Sequence, residues 1–200
     1  MGVRARWAAG LVLPAALVLG LTACGSNAPE PAADAPTAVV APTADCMAPG
    51  VLADLGLVSA GQTAEVGTPH ADAPGPGRVP DDFLAVEVVV CAPGGTLHDS
   101  SGTWTALTAS RREGDLDELV AALRRPSEPR GGTCASAAVV PPALWLVDAL
   151  GRAVRPVWPT DRCGSPQETV TDALDALEEV GSEQYPVRLL EPAPPTATQP

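Results

Sequence analysis

Residues 83–110 read FLAVEVVVCAPGGTLHDSSGTWTALTAS. The first nine, FLAVEVVVC, form a short apolar run dominated by valine, whose branched side chains suit a pleated, packed surface. Such a run predicts a buried β-strand over 83–91. GTWTALTAS (102–110) alternates polar and apolar positions, as a strand with one covered face does, and predicts the antiparallel partner. The Gly, Ser and Asp residues between them supply a polar hairpin connection.

Outward from this pair the pattern alternates between two periods. DLDELVAALRR (115–125) places Leu116, Leu119, Val120 and Leu123 at helical spacing, with acids in the first turn, arginines in the last and Pro126 beyond. ALWLVDA (143–149) and AVRPVW (153–158) flank the turn-like LGR and predict a second hairpin, with Pro156 confining its second strand to an edge. SPQETVTDALDALEEVG (165–181) predicts a helix over most of its length. Ser165 and Glu168 fit a capping box, Pro166 the first helical position and Gly181 the stop. Its apolar face would be Val170, Ala173, Leu174, Leu177 and Val180. YPVRLLE (185–191) predicts a last strand. The order ββα-ββα-β implies an α+β fold, a mainly antiparallel sheet with two helices on one face.

The N-terminus has the layout of an export signal. Arg4 and Arg6 precede an apolar segment, Trp7 to Leu21, which is short for a bilayer span and broken by Gly10, Pro14 and Gly20. It ends Leu21-Thr22-Ala23-Cys24, which resembles the lipobox of bacterial lipoproteins. That resemblance implies cleavage after Ala23 and a thioether-linked diacylglycerol, with a further acyl chain such as palmitate, on Cys24. Two or more chains give durable anchoring where one gives marginal binding. The expected organisation is a signal peptide over 1–23, an Ala/Pro-rich tether over 24–45, one domain over 46–191 and a disordered tail over 192–200. The tether has almost no large apolar residue with which to offset its ordering entropy. The stretch 67–82, GTPHADAPGPGRVPDD, predicts a long loop within the body.

The chain carries 12 basic and 24 acidic residues. Because 1–23 holds two arginines and no acid, the remainder has 10 against 24, a net charge of −14. This acidity excludes nucleic acid as a partner and direct adhesion to anionic lipid, both of which need clustered positive charge. There is no Lys or Ile, and Asn, Phe and Tyr occur once each. These residues use AT-rich codons, so the coding sequence is GC-rich, as in actinobacteria. The core must therefore be built from Leu, Val and Ala around Trp104, Trp145 and Trp158.

With Cys24 assigned to lipid, Cys46, Cys91, Cys134 and Cys163 remain, an even number in an exported chain. Their intervals of 45, 43 and 29 residues contain no C-x-x-C pair, which disfavours zinc and a redox motif and favours two disulfides. Three pairings are possible. Cys46–Cys91 with Cys134–Cys163 is favoured, because it pins the start of the body to the first strand and closes a loop around the second hairpin.

Candidates for chemistry are sparse. His98, Asp99 and Ser100 are adjacent in LHDSS, whereas a triad converges from distant segments, so a polar turn is the better reading. His70 falls in the Pro/Gly loop, where solvation competes with a ligand role. Asp81-Asp82 lack further ligands at metal spacing and read as a turn entering the strand at Phe83. Arg111, Arg112, Arg124, Arg125 and Arg130 make the one basic group, able to dock an anion or to pair with Glu113, Glu118 and Glu128. No phosphate-cradling or dinucleotide fingerprint is present, and no metal or cofactor is expected.

Three runs, VPDDFLAVEVVVC (79–91), LRRPSEPRGGTC (123–134) and LWLVDALGRAVRPVWPTDRCGSPQ (144–167), resemble a group of exported proteins and lipoproteins of actinobacteria that has no assigned activity. The resemblance spans roughly 79–180, includes the spacing of three cysteines, and implies no catalytic residue. The sequence therefore points to a lipid-anchored, extracytoplasmic, non-enzymatic interaction module. Its partners would be the bilayer through Cys24 and an envelope protein. The alternative is a module that binds a small anionic ligand through the arginine group, with a hydrolase third.

Overall fold

The computed structural model describes residues 35–134 and 139–194. The export signal 1–23, the lipobox Leu21-Thr22-Ala23 with Cys24, the first half of the expected tether and the tail from 195 on lie outside the described residues. None of the described helices is long and apolar enough to cross a membrane.

The elements are α1 (Pro49–Asp54), β1 (Ala85–Asp99), β2 (Gly102–Glu113), α2 (Asp117–Leu123), β3 (Ala143–Asp148), β4 (Ala153–Val154), α3 (Glu168–Asp175) and β5 (Glu178–Pro192). Five strands form one antiparallel sheet in the order β4-β3-β1-β2-β5. The fold is α+β and mainly antiparallel. After α1, the ββα-ββα-β order follows.

Strand alternation divides the core in two. Val88 and Val90 of β1 sit opposite Leu146 and Leu144 of β3 and face α2 and α3, where Leu119, Leu123, Val170 and Leu174 meet them. Val89 and Cys91 are opposite Trp145 and Ala143 and face the other way. There they pack with Val51 and Leu52 of α1, Leu107 and Val187. Each fully buried Leu or Val contributes about 1.5–3 kcal/mol relative to exposure. α2 and α3 share one face, as expected, but the opposite face is covered as well, by α1 and the segment before it.

That second cover corrects the reading of 35–45 as an extended tether. Ala35, Ala38 and Ala41 are buried. The Ala38 amide donates to the Arg78 carbonyl at 2.8 Å, and Ala41 and Ala153 exchange backbone bonds at 2.8 and 3.0 Å. The loop 67–82 takes part, since Gly77 donates to the Arg155 carbonyl and accepts from the Val157 amide, both at 2.9 Å. Gly77 permits this closeness: a Cβ there would lie 2.5 Å from the Pro36 carbonyl oxygen. Small residues dock here by backbone pairing, which needs no large apolar side chain.

The helix predicted to run to Gly181 stops at Asp175, and Val180 belongs to β5. Arg112 donates to the Leu174 carbonyl at 2.9 Å, satisfying an orphan acceptor of the last turn. Glu178 then pairs with Glu113 in the sheet. Gln167 occupies the N-cap and no side chain caps the helix, so the expected Ser165–Glu168 box is not formed. The Ser165 amide instead donates to Asp161 at 2.9 Å.

Both favoured disulfides are present, Cys46–Cys91 with Cα atoms 5.5 Å apart and Cys134–Cys163 with 5.7 Å. The first ties the segment before α1 to the middle of the sheet. The second ties the chain after α2 to the turn before α3.

Candidate functional site

On the α1 side of the sheet, one region of floor is left low. Val89 of β1, Arg111 of β2 and Gly181 of β5 are consecutive register partners across three strands, and Cys91, Ala109 and Glu183 form the next row. Ala109 and Gly181 place almost no side chain on this floor. A cavity of about 500 Å³ opens above it, walled by Ala44, Asp45, Cys46 and Met47 and closed on further sides by His70 and Tyr185.

The Cys46–Cys91 bond fixes that wall to the floor. Asp45, next in the chain, accepts from the Met47 amide at 2.9 Å through one oxygen and faces His70 Nδ1 at 2.8 Å through the other. A carboxylate opposite Nδ1 assigns the proton to that nitrogen and leaves Nε2 as an acceptor in the neutral ring. The His70 and Asp45 side chains are 37% and 28% exposed, so the pair borders solvent. Tyr185 donates its hydroxyl to Glu183. That bond, with partial burial and the negative charges of Glu183 and Asp45, raises the Tyr185 pKa above its ordinary value.

Arg111 differs from its neighbours in having no ion pair or side-chain hydrogen bond among the described residues. Its guanidinium lies over Gly181, where a Cβ would come within 3.2 Å of Nη2. Glu183 is its diagonal neighbour on the same face, at a position typically about 7–8 Å away and within reach of long side chains. The two opposite charges are nonetheless not paired.

The five arginines are not brought together. Arg111 enters the cavity. Arg112, on the opposite face, bonds Leu174 and approaches Asp175 at 3.3 Å. Arg124 donates to the carbonyls of Pro80 and Asp81 at 2.8 and 3.3 Å, holding the turn before β1. Arg125 and Arg130 are exposed and do not line this cavity. Of the five, Arg111 is the one that borders this cavity.

His98, Asp99 and Ser100 lie at the β1–β2 turn. Asp99 accepts from the amides of Ser101 and Gly102 at 2.7 and 3.0 Å and from Trp104 Nε1 at 2.9 Å, which closes the hairpin. Asp81 and Asp82 form the turn before β1. Ser182 borders the cavity, but it stands between Gly181 and Glu183 and alternation turns its side chain to the other face. Among the described residues, the Asp45–His70 pair is not hydrogen-bonded to a serine hydroxyl as it would be in a serine triad. No group of three or more His, Cys, Asp or Glu among the described residues is arranged to hold a metal.

Sequence reasoning singled out His70 and Arg111 separately but not Asp45, Glu183 or Tyr185. Only the Cys46–Cys91 pairing, which places residue 45 beside β1, could have drawn them together. Compared with protein-family models, with curated proteins and with solved structures, the chain gives no significant match to any.

Proposed function

We infer that this protein is an exported interaction module, held at the outer face of the cytoplasmic membrane by lipid on Cys24, that binds its partner without transforming it. The observation that carries this reading is the use of cysteine. The four after residue 24 are consumed in two bonds between distant segments, which persist in an oxidising compartment. Cys24 is left as the odd thiol at the end of the lipobox-like Leu21-Thr22-Ala23.

Two further features support it. Docking of residues from Ala35 onward leaves at most residues 24–34 between Cys24 and the body. The body would then ride close to the bilayer, and its acidity would keep it off anionic headgroups. Replacing Cys24 by Ala and fractionating the producing cells tests the reading. The native chain should sediment with membranes and the variant should be released. Equal release of both would refute the anchor.

A second reading, capture of a small ligand with an anionic group, is favoured by Arg111, a cation that has no partner among the described residues and lines a cavity. It replaces the five-arginine version of that idea and is compatible with the anchor.

A further inference from the structure

The cavity over Val89, Ala109 and Gly181 carries charge of both signs that is not mutually satisfied. Arg111 offers a planar set of donors with no acceptor among the described residues. Glu183, its diagonal neighbour, takes one bond from Tyr185 and keeps further lone pairs. Asp45, on the facing wall, adds a second carboxylate. Arg111 and Glu183 are both exposed at the cavity's edge, so each charge is open to a ligand entering it.

We propose that this cavity is a binding site for a small zwitterion, its anionic group on Arg111 and its ammonium on Glu183 beside the Tyr185 hydroxyl. The proposal deepens the reading of the body as a binding module and is independent of the anchor. The selectivity follows from the mixture of signs. A plain anion on Arg111 would sit beside Asp45 and Glu183, and a plain cation on Glu183 would face Arg111. Like charges close together near a protein surface repel, and salt screens that repulsion only in part. A ligand with both signs meets an attractive partner at each end. Tyr185 directs its proton to Glu183 and so presents lone pairs to the ammonium. Asp45, committed to His70 and the Met47 amide, acts chiefly through its charge. Arg suits the anionic end because its fork grips a carboxylate through two parallel bonds.

The test is calorimetric titration of the purified full-length chain in detergent. The probes are glycine and γ-aminobutyrate, whose charges are spaced differently, with butyrate and butylamine as single-charge controls. At least one zwitterion should bind saturably and about tenfold or more tighter than either control, a difference of about 1.4 kcal/mol. Arg111→Gln should reduce it to the level of butylamine, and Glu183→Gln to the level of butyrate. Tyr185→Phe, which keeps the ring in place, should weaken the zwitterion without altering butyrate. Equal affinity for zwitterion and butyrate would make this a simple anion site and overturn the proposal. So would the absence of binding by either zwitterion, or binding indifferent to both charge variants. Neither failure would touch the anchor, which the Cys24 variant addresses.

Discussion

His70 Nδ1 lies 2.8 Å from Asp45 Oδ2 although 25 residues separate them, and a disulfide holds the contact in place. Asp45 immediately precedes Cys46, which is bonded to Cys91 in β1. The covalent bond thus sets one wall of the cavity against the sheet, and the His70 loop closes onto that wall.

Opening this bond should cost both stability and cavity. For loops of 45 and 29 residues the chain-entropy model gives about 4 kcal/mol for Cys46–Cys91 and slightly less for Cys134–Cys163. The double variant Cys46→Ala/Cys91→Ala should lower urea stability by about this amount and speed hydrogen exchange at the Met47 amide. The pair Cys134→Ala/Cys163→Ala should lower stability while leaving exchange at Met47 unchanged.

Tyr185 is the single tyrosine of the chain, so its ultraviolet titration reports on the cavity alone. Its bond to Glu183, partial burial and adjacent negative charge stabilise the neutral phenol. The midpoint should fall above the ordinary value of about 10. Glu183→Gln should bring it back down. Because the folded-state pKa is raised, the contribution of this group to stability is complete below the unfolded value and is lost as pH rises through the folded one.

Gly77 is the point where the segment 36–38 crosses the loop. With a Cβ forced to 2.5 Å from the Pro36 oxygen, Gly77→Ala must push the two strands of chain apart. A loss of about 1–3 kcal/mol is expected. Amide exchange should quicken at Ala38 and Ala41, whose bonds to Arg78 and Ala153 depend on the crossing, and remain slow in β1.

Asp148 should confer a pH dependence of the opposite sense. Burial opposes its ionisation, but bonds from the Arg152 side chain and from the Leu150 and Arg152 amides outweigh that and lower its pKa. A depressed carboxyl pKa stabilises fully above the unfolded value, near 3.9, and the gain is lost as pH falls through the folded value. The stability gap between the native chain and Asp148→Asn should be widest near neutral pH and narrow below about pH 4. A gap independent of pH would assign the effect to packing.

The sheet and the helices α2 and α3 were legible because Val88, Val90, Leu119, Leu123, Val170 and Leu174 repeat at periods that hydrophobic burial imposes. The six residues of α1 are too few for a period to emerge, and the docking of Ala35 to Ala41 rests on backbone pairing beside Gly77, which hydropathy does not register. The early end of α3 depends on Arg112, 62 residues from its acceptor Leu174. The cavity was illegible for the same reason. Its floor is defined by what Ala109 and Gly181 omit, and its charged groups come from four separate segments.

The most direct test of the account is the mass of the protein extracted from membranes of the producing cell, with its thiols counted before and after reduction. The account predicts a chain beginning at Cys24 that carries a diacylglycerol-sized adduct, with no free thiol until reduction exposes Cys46, Cys91, Cys134 and Cys163. An unmodified Cys24, or free thiols at the other four in the unreduced protein, would contradict it.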